Sequence, residues 1–269
     1  MNNADLEKAI NDSGFPLQLG IRQLLQGAGV RWLLSLWEHP WRDPASGDEK
    51  FVDMVLMDKA GQGLIIECKR ARDTEWIFLR EKSGGEHNSR LAVRVFVTAV
   101  REGKPPQVHE WCSVPHVPGT PIGTFCIVRK NGQRSQELLE RTAADVVRAT
   151  EAIARQELLL FQSNKKRLSR IYTPIVVTTA RLILGDVDFS KFDVEKGEAS
   201  GSSFVEVPFI RFTKSLSVPE KFVGADTLSE IADQSERSVV IVSAGALVAF
   251  LSRWDIGNIG GLAEALWGS

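Results

Sequence analysis

Apolar side chains at 17, 21, 24 and 25 of Pro16-Leu-Gln-Leu-Gly-Ile-Arg-Gln-Leu-Leu-Gln26 fall on one face of a helix, with Ser13 and Pro16 suited to its start and Gly27 or Gly29 to its end. Val30-Arg-Trp-Leu-Leu-Ser-Leu-Trp37 is aromatic and aliphatic and predicts a strand; a loop is expected from Pro40 to Gly47. Two short apolar runs follow, Phe51-Val-Asp-Met-Val-Leu-Met57 and Leu64-Ile-Ile-Glu-Cys-Lys69. The glycines and polar residues of Asp58-Lys-Ala-Gly-Gln-Gly63 between them signal the turn of a β-hairpin. Leu91, Val95, Thr98 and Ala99 predict a helix over 88–103, and a strand is expected over 119–128 after a Pro-rich loop. Good helix formers without internal Gly or Pro predict a long helix from Gln136 to Lys165.

The second half returns to strands over 173–180, 181–184, 205–212 and 238–242. A Gly- and Ser-rich surface loop is expected over 195–203 and a helix over 244–252; the tail from 257 to 261 has no clear period. This order of elements predicts an α/β fold, a mixed central sheet flanked by helices with additional C-terminal strands. With neither an internal repeat nor a long linker, residues 1–269 are expected to form a single domain.

The hairpin carries charges where its neighbours are apolar. Strand side chains alternate between faces, so Glu67 and Lys69 share one face and Ile66 and Cys68 the other. Centring the turn near Ala60 makes opposing residue numbers sum to about 120, which sets Asp53 across from Glu67. Charges among Phe, Val, Met, Leu and Ile must be paired, metal-bound or at an open edge. A hard cation such as Mg²⁺ takes one or two carboxylates plus water and substrate phosphate. Asp53 and Glu67 supply the carboxylates, the backbone carbonyl of Cys68 a third oxygen, and Lys69 a group to position or deprotonate water and offset phosphate charge. The chemistry this predicts is phosphodiester hydrolysis. The competing reading of Glu67 and Lys69 is an edge-strand ion pair worth only about 0–1 kcal/mol.

Val52-Asp53, a turn, and Ile65-Ile66-Glu67-Cys68-Lys69 resemble the PD-(D/E)XK signature of the restriction-endonuclease-like nuclease superfamily. The resemblance implies that Asp53 and Glu67 bind metal and that Lys69 assists catalysis. Upstream, Ser13-Gly-Phe-Pro-Leu-Gln18 is similar to the helix opening of some members, in which a glutamate joins the metal site. Here that position is Gln18, a neutral and weaker ligand, so it is either a weak ligand or water-positioning group or a solvent-facing helix residue. Glu38 and Glu49 are spare carboxylates for the missing glutamate. Val52 stands where the signature has proline. The resemblance covers residues 13–70 with specificity; Tyr172-Thr-Pro-Ile-Val-Val-Thr-Thr-Ala180 is a weaker match to a later core strand of some members.

Composition sets the frame for a partner. The 33 Lys+Arg against 34 Asp+Glu give a net charge of −1, with no global attraction to a polyanion, so contact must be local. Arg70 and Arg72 follow the motif directly and are candidates for phosphate contact. Residues 129–170 hold ten basic residues against five acidic, among them Lys165, Lys166, Arg167 and Arg170; they read as a phosphate-tracking surface or as a solvated helix end. Trp32, Trp37 and Trp41 are stacking candidates, with core packing the stronger reading for Trp32. The four His lack metal-ligand spacing, and Gly84-Gly-Glu-His87 is expected to be a loop beside the site. Three cysteines without Cys-x-x-Cys spacing argue against a disulfide scaffold or structural zinc. Without a signal-peptide pattern or an apolar run long enough to span a membrane, the expectation is a cytoplasmic protein with no membrane partner.

The expected activity is thus an Mg²⁺-dependent nuclease, with Mn²⁺ substituting, DNA the first substrate and RNA an alternative. Members of such a superfamily often pair to cut two strands, so a homodimer is one expectation. Two other readings stand beside it. One is a degenerate nuclease-fold protein that binds nucleic acid or joins an assembly without cutting; the other is a chance hairpin within an unrelated α/β enzyme.

Overall fold

The computed structural model describes residues 2–44, 46–82, 92–100, 106–131, 133–135, 138–163, 168–217 and 225–257. Helices α1 (Asn3–Asp12) and α2 (Phe15–Gly27) precede an antiparallel meander of β1 (Leu33–Arg42), β2 (Glu49–Met57) and β3 (Gln62–Lys69). Then come β4 (Thr74–Glu81), the hairpin of β5 (Ala92–Val100) and β6 (Pro106–Pro115), and β7 (Ile122–Gly123), β8 (Phe125–Lys130) and β9 (Gln133–Ser135). Helix α3 (Leu138–Ser163) leads to β10 (Leu168–Thr178), β11 (Arg181–Val187), β12 (Ser203–Glu206) and β13 (Phe209–Ser215). Helix α4 (Leu228–Ser235), β14 (Glu236–Ser243) and α5 (Leu247–Arg253) complete the order.

The strands form two sheets. Nine belong to a mixed sheet ordered β1-β2-β3-β10-β14-β13-β7, with β5 and β6 branching from β10. The branch exists because β10 is long: it pairs in parallel with β3 along one side, while its other side is shared by β5 over Leu168–Tyr172 and by β14 over Ile175–Thr178. The second sheet has the order β12-β11-β4-β8-β9. Parallel neighbours β3 and β10 each bend out of the first sheet and continue as parallel neighbours β4 and β11 in the second. The bend is pinned by two bonds: the Ala71 N–H donates to Thr179 Oγ1 at 2.8 Å, and the Thr179 N–H to the Lys69 carbonyl at 3.3 Å.

Helix α3 covers one face of the main sheet, burying Ala143, Val146, Val147 and Ala154 in a core that also takes Trp76, Phe78, Leu182 and Leu184 from the second sheet. The other face packs on α2 through Ile21 and on α5 through Leu247, Phe250 and Leu251. Such an α/β arrangement, a mixed sheet flanked by helices with added C-terminal strands, is the class the sequence predicts.

Several local expectations are corrected. Residues 92–100, expected within a helix, form β5. Val93, Val95 and Val97 are nearly fully buried on one face, and these β-branched residues follow a period of two rather than 3.6. The loop expected from Pro40 starts later, because β1 runs to Arg42. β1 pairs only with β2, and an edge strand tolerates a proline. The run expected as one strand over 205–212 is divided at Pro208 between β12 in the second sheet and β13 in the first. The strand over 119–128 is likewise split into β7 and β8, one in each sheet.

Gly123 shows how closely the layers meet. A Cβ there would stand 2.7 Å from the Cβ of fully buried Phe78, which packs edge-on against Phe212 at 6.2 Å. Gly123→Ala is therefore expected to destabilise the protein by about 1–3 kcal/mol. The urea midpoint measures this, and an unchanged midpoint would show that the layers yield without cost.

Candidate active site

The β2–β3 ladder pairs Met57 with Gly63, Leu56 with Leu64, Val55 with Ile65 and Met54 with Ile66, so opposing numbers sum to 120. It stops one residue short of Asp53 and Glu67. There the Asp53 carboxylate takes over from the ladder: Oδ2 accepts the Cys68 N–H at 2.6 Å. In an extended strand the N–H and C=O of one residue point to the same side, so the Cys68 carbonyl is directed toward the same gap. Asp53 Oδ1 accepts a hydrogen bond from Gln18 Nε2, also at 2.6 Å. The other end of that amide, Gln18 Oε1, is buried with no hydrogen-bond partner among the described residues.

Glu67 and Lys69 lie on one face of β3, and Lys69 Nζ is 3.0 Å from Glu67 Oε1. Both are partly exposed, at 20% and 32% for Glu67 and Lys69, so the pair borders solvent. On the far side of Asp53 stands Glu38. Trp37 pairs with Met54 and His39 with Val52, which puts Glu38 opposite Asp53 across β1 and β2. Its backbone has φ of 43°, the left-handed region that a non-glycine residue occupies at a cost of about 1–2 kcal/mol.

Burial dominates the electrostatics. It pushes the Asp53 pKa up from 3.8 to about 7, helped by the Glu67 charge and, less, by Glu38, and opposed by the Cys68 N–H and Lys69. Glu67 is also raised, first by burial and also by Asp145 of α3, against the pull of Lys69. The Cys68 thiol goes well above its ordinary value, again chiefly through burial and then through Asp53 and Glu67. Its sulfur is thus a neutral thiol in the core, leaving the backbone carbonyl as this residue's donor.

The fit to a hard divalent ion is tested by these oxygens. Asp53, Glu67, the Cys68 carbonyl and Gln18 Oε1 are all oxygen donors, the type a hard divalent ion takes, while both Asp53 oxygens are already engaged, by the Cys68 N–H and by Gln18 Nε2. Among the described residues no three His, Cys, Asp or Glu side chains gather at metal-binding distances. Gln18 is turned toward Asp53, bonding it through the amide nitrogen, and does not simply face solvent.

The remaining candidates divide. Arg70 and Arg72 both reach Asp12 of α1, at 3.6 and 3.3 Å. Arg70 is the more buried, and its Nη2 has no acceptor among the described residues. Arg170 lies at the opposite end of the sheet. Its neighbour Ile171 pairs with Gln62 whereas Thr178 pairs with Lys69, a span of about 23 Å along β3. It is ion-paired with Glu157 at 3.0 Å and stacks on Phe161. Lys165, Lys166, Arg167 and the 84–87 segment lie outside the described residues. Glu49 is exposed and paired with Arg42. Trp32 and Trp41 are core residues, while Trp37 is half-buried beneath Arg22.

Sequence reasoning passed over Asp12 and Asp145, which set the charge around Arg70 and Glu67. Each comes from a helix distant in sequence, and no local pattern announces either.

Compared with protein-family models, curated proteins and solved structures, the chain finds no match. No described helix is long and apolar enough to cross a membrane.

Proposed function

We propose that this protein is a metal-dependent nuclease that hydrolyses phosphodiester bonds, with DNA favoured over RNA and Mg²⁺ as the ion, replaceable by Mn²⁺. One observation carries the reading: where the β2–β3 ladder ends, the buried Asp53 carboxylate is held by the Cys68 N–H and Gln18, with the ion-paired Glu67 and Lys69 close enough for their charges to act on it. Asp53 and Glu67 would hold the ion, with the Cys68 carbonyl and Gln18 Oε1 completing the protein's share. Bound there, Mg²⁺ supplies Lewis-acid stabilisation of charge building on the phosphate.

The other steps belong to the chain. Lys69, at the solvent border, orients a water for attack and offsets phosphate charge. Arg70 adds positive charge next to Lys69 in the chain. The pinned bend directly after Lys69 holds the backbone that carries both side chains. Cutting both strands of a duplex would take two copies. The three cysteines are free thiols, which suits the cytoplasm.

The closed contact between Gln18 and Asp53 favours a second reading, in which the fold binds nucleic acid without cutting. Incubation of the purified protein with plasmid and single-stranded DNA separates the two. Cleavage in Mg²⁺ or Mn²⁺ that stops with EDTA is the expected result. DNA binding without cleavage, and without heat of metal binding in calorimetry, would favour the second reading.

A further inference from the structure

On the outer side of α3, Arg148, Ala152, Arg155 and Leu159 fall at helical spacing along one stripe. Facing them are Arg42 at the end of β1 and Leu216 after β13, and together these elements line a half-open cavity of about 920 Å³. That volume lies in the range of about 300–1,000 Å³ typical of small-molecule sites.

Its charges are asymmetric. Three arginines line the cavity against one carboxylate, Glu151. Glu151 is engaged within the wall: it accepts the Trp111 Nε1–H at 2.6 Å and the Ser217 hydroxyl at 3.3 Å, with Arg237 at 3.8 Å. Arg148 is held by Asp43 and Asp145. The Arg42 pair with Glu49 is exposed on both sides, and such a pair exchanges for another anion at little cost. Arg155 is exposed, and its charge acts on Glu151. Ala152, Leu159 and Leu216 form the apolar part of the wall.

We propose that this cavity binds a nucleoside phosphate, with the phosphate against Arg42, Arg148 and Arg155 and the base against the apolar wall. Guanidinium groups recognise phosphate by charge and by paired N–H donors. The ligand is either a free nucleotide or the phosphorylated 5′ end of a strand. The site shares no residue with the Asp53–Glu67 centre and does not rest on the nuclease reading.

Calorimetric titration of the full chain in EDTA tests the proposal, using ADP, a 5′-phosphorylated oligonucleotide and inorganic phosphate. Binding with Kd of about 10–100 μM is expected for ADP or the oligonucleotide; which of them binds identifies the source. Arg155→Glu and Ala152→Phe, which reverses a charge and fills the cavity, are each expected to weaken binding about tenfold or more, with unfolding midpoints near that of the parent. Asp53→Asn should bind as the parent does, so failure of the hydrolytic site leaves this result intact. No binding of ADP or oligonucleotide up to about 1 mM, equal affinity for inorganic phosphate, or unchanged affinity in both cavity variants would overturn the proposal.

Discussion

Lys69→Ala is expected to lower the rate of DNA cleavage by about 10²–10⁴-fold while leaving cation binding in place. The side chain is partly exposed and ion-paired with Glu67, so its loss removes little packing. Cation binding persists because the oxygens of Asp53 and Glu67 are untouched. Lys69→Arg separates two contributions of the lysine: it keeps a positive charge near the phosphate but cannot give up a proton near neutral pH. If positioning by charge suffices, the arginine variant recovers part of the rate; if proton transfer is required, it does not. Single-turnover cleavage rates with calorimetry of Mn²⁺ binding measure both. Parent-like cutting by Lys69→Ala would remove this residue from the mechanism.

Asp53→Asn should abolish cleavage and cation binding yet make the metal-free protein more stable at pH 8, by on the order of 1–3 kcal/mol. The sign follows from the raised pKa. Between about pH 4 and 7 the folded protein holds a proton on Asp53 that the unfolded chain has released, because burial and the Glu67 charge penalise the carboxylate. This group's contribution to stability is therefore complete below pH 3.8 and is lost as pH rises to about 7. Asparagine is neutral throughout and its Oδ1 can still accept the Cys68 N–H, so its advantage should be largest above pH 7 and close toward pH 4. Urea midpoints across that range in EDTA provide the comparison. A variant less stable than the parent at pH 8 would mean that the hydrogen bonds to the charged carboxylate outweigh its burial. Destabilisation in the absence of ligand is what a site that must hold a cation would show.

The hairpin was legible because its signals are local. The apolar runs, the glycines of the turn and the period of two fix which residues face one another, and the pairing of Met54 with Ile66 follows from them. Helix α3 was equally legible, since 26 residues run without glycine or proline. β5 was not: valines at 93, 95 and 97 lie among residues that also satisfy a helical spacing, and burial against α2 and α5 decides between the two. The division of 205–212 between sheets was hidden as well, because the need for two sheets arises from where β3 and β10 bend, not from the run itself.

At the candidate site the sequence alone determined the chemistry on offer: two carboxylates and a lysine on adjacent strands, whose register is set by a short turn. It could not determine their surroundings. Tertiary packing brings Gln18 against Asp53 across 35 positions and leaves its oxygen without a partner. Packing also sets Glu38 beside Asp53, Asp145 near Glu67, and Asp12 between Arg70 and Arg72. The physical reason is range. Strand alternation and turn geometry act over a few residues and can be read from spacing, whereas desolvation and charge depend on every group within several ångströms, whichever part of the chain supplies it.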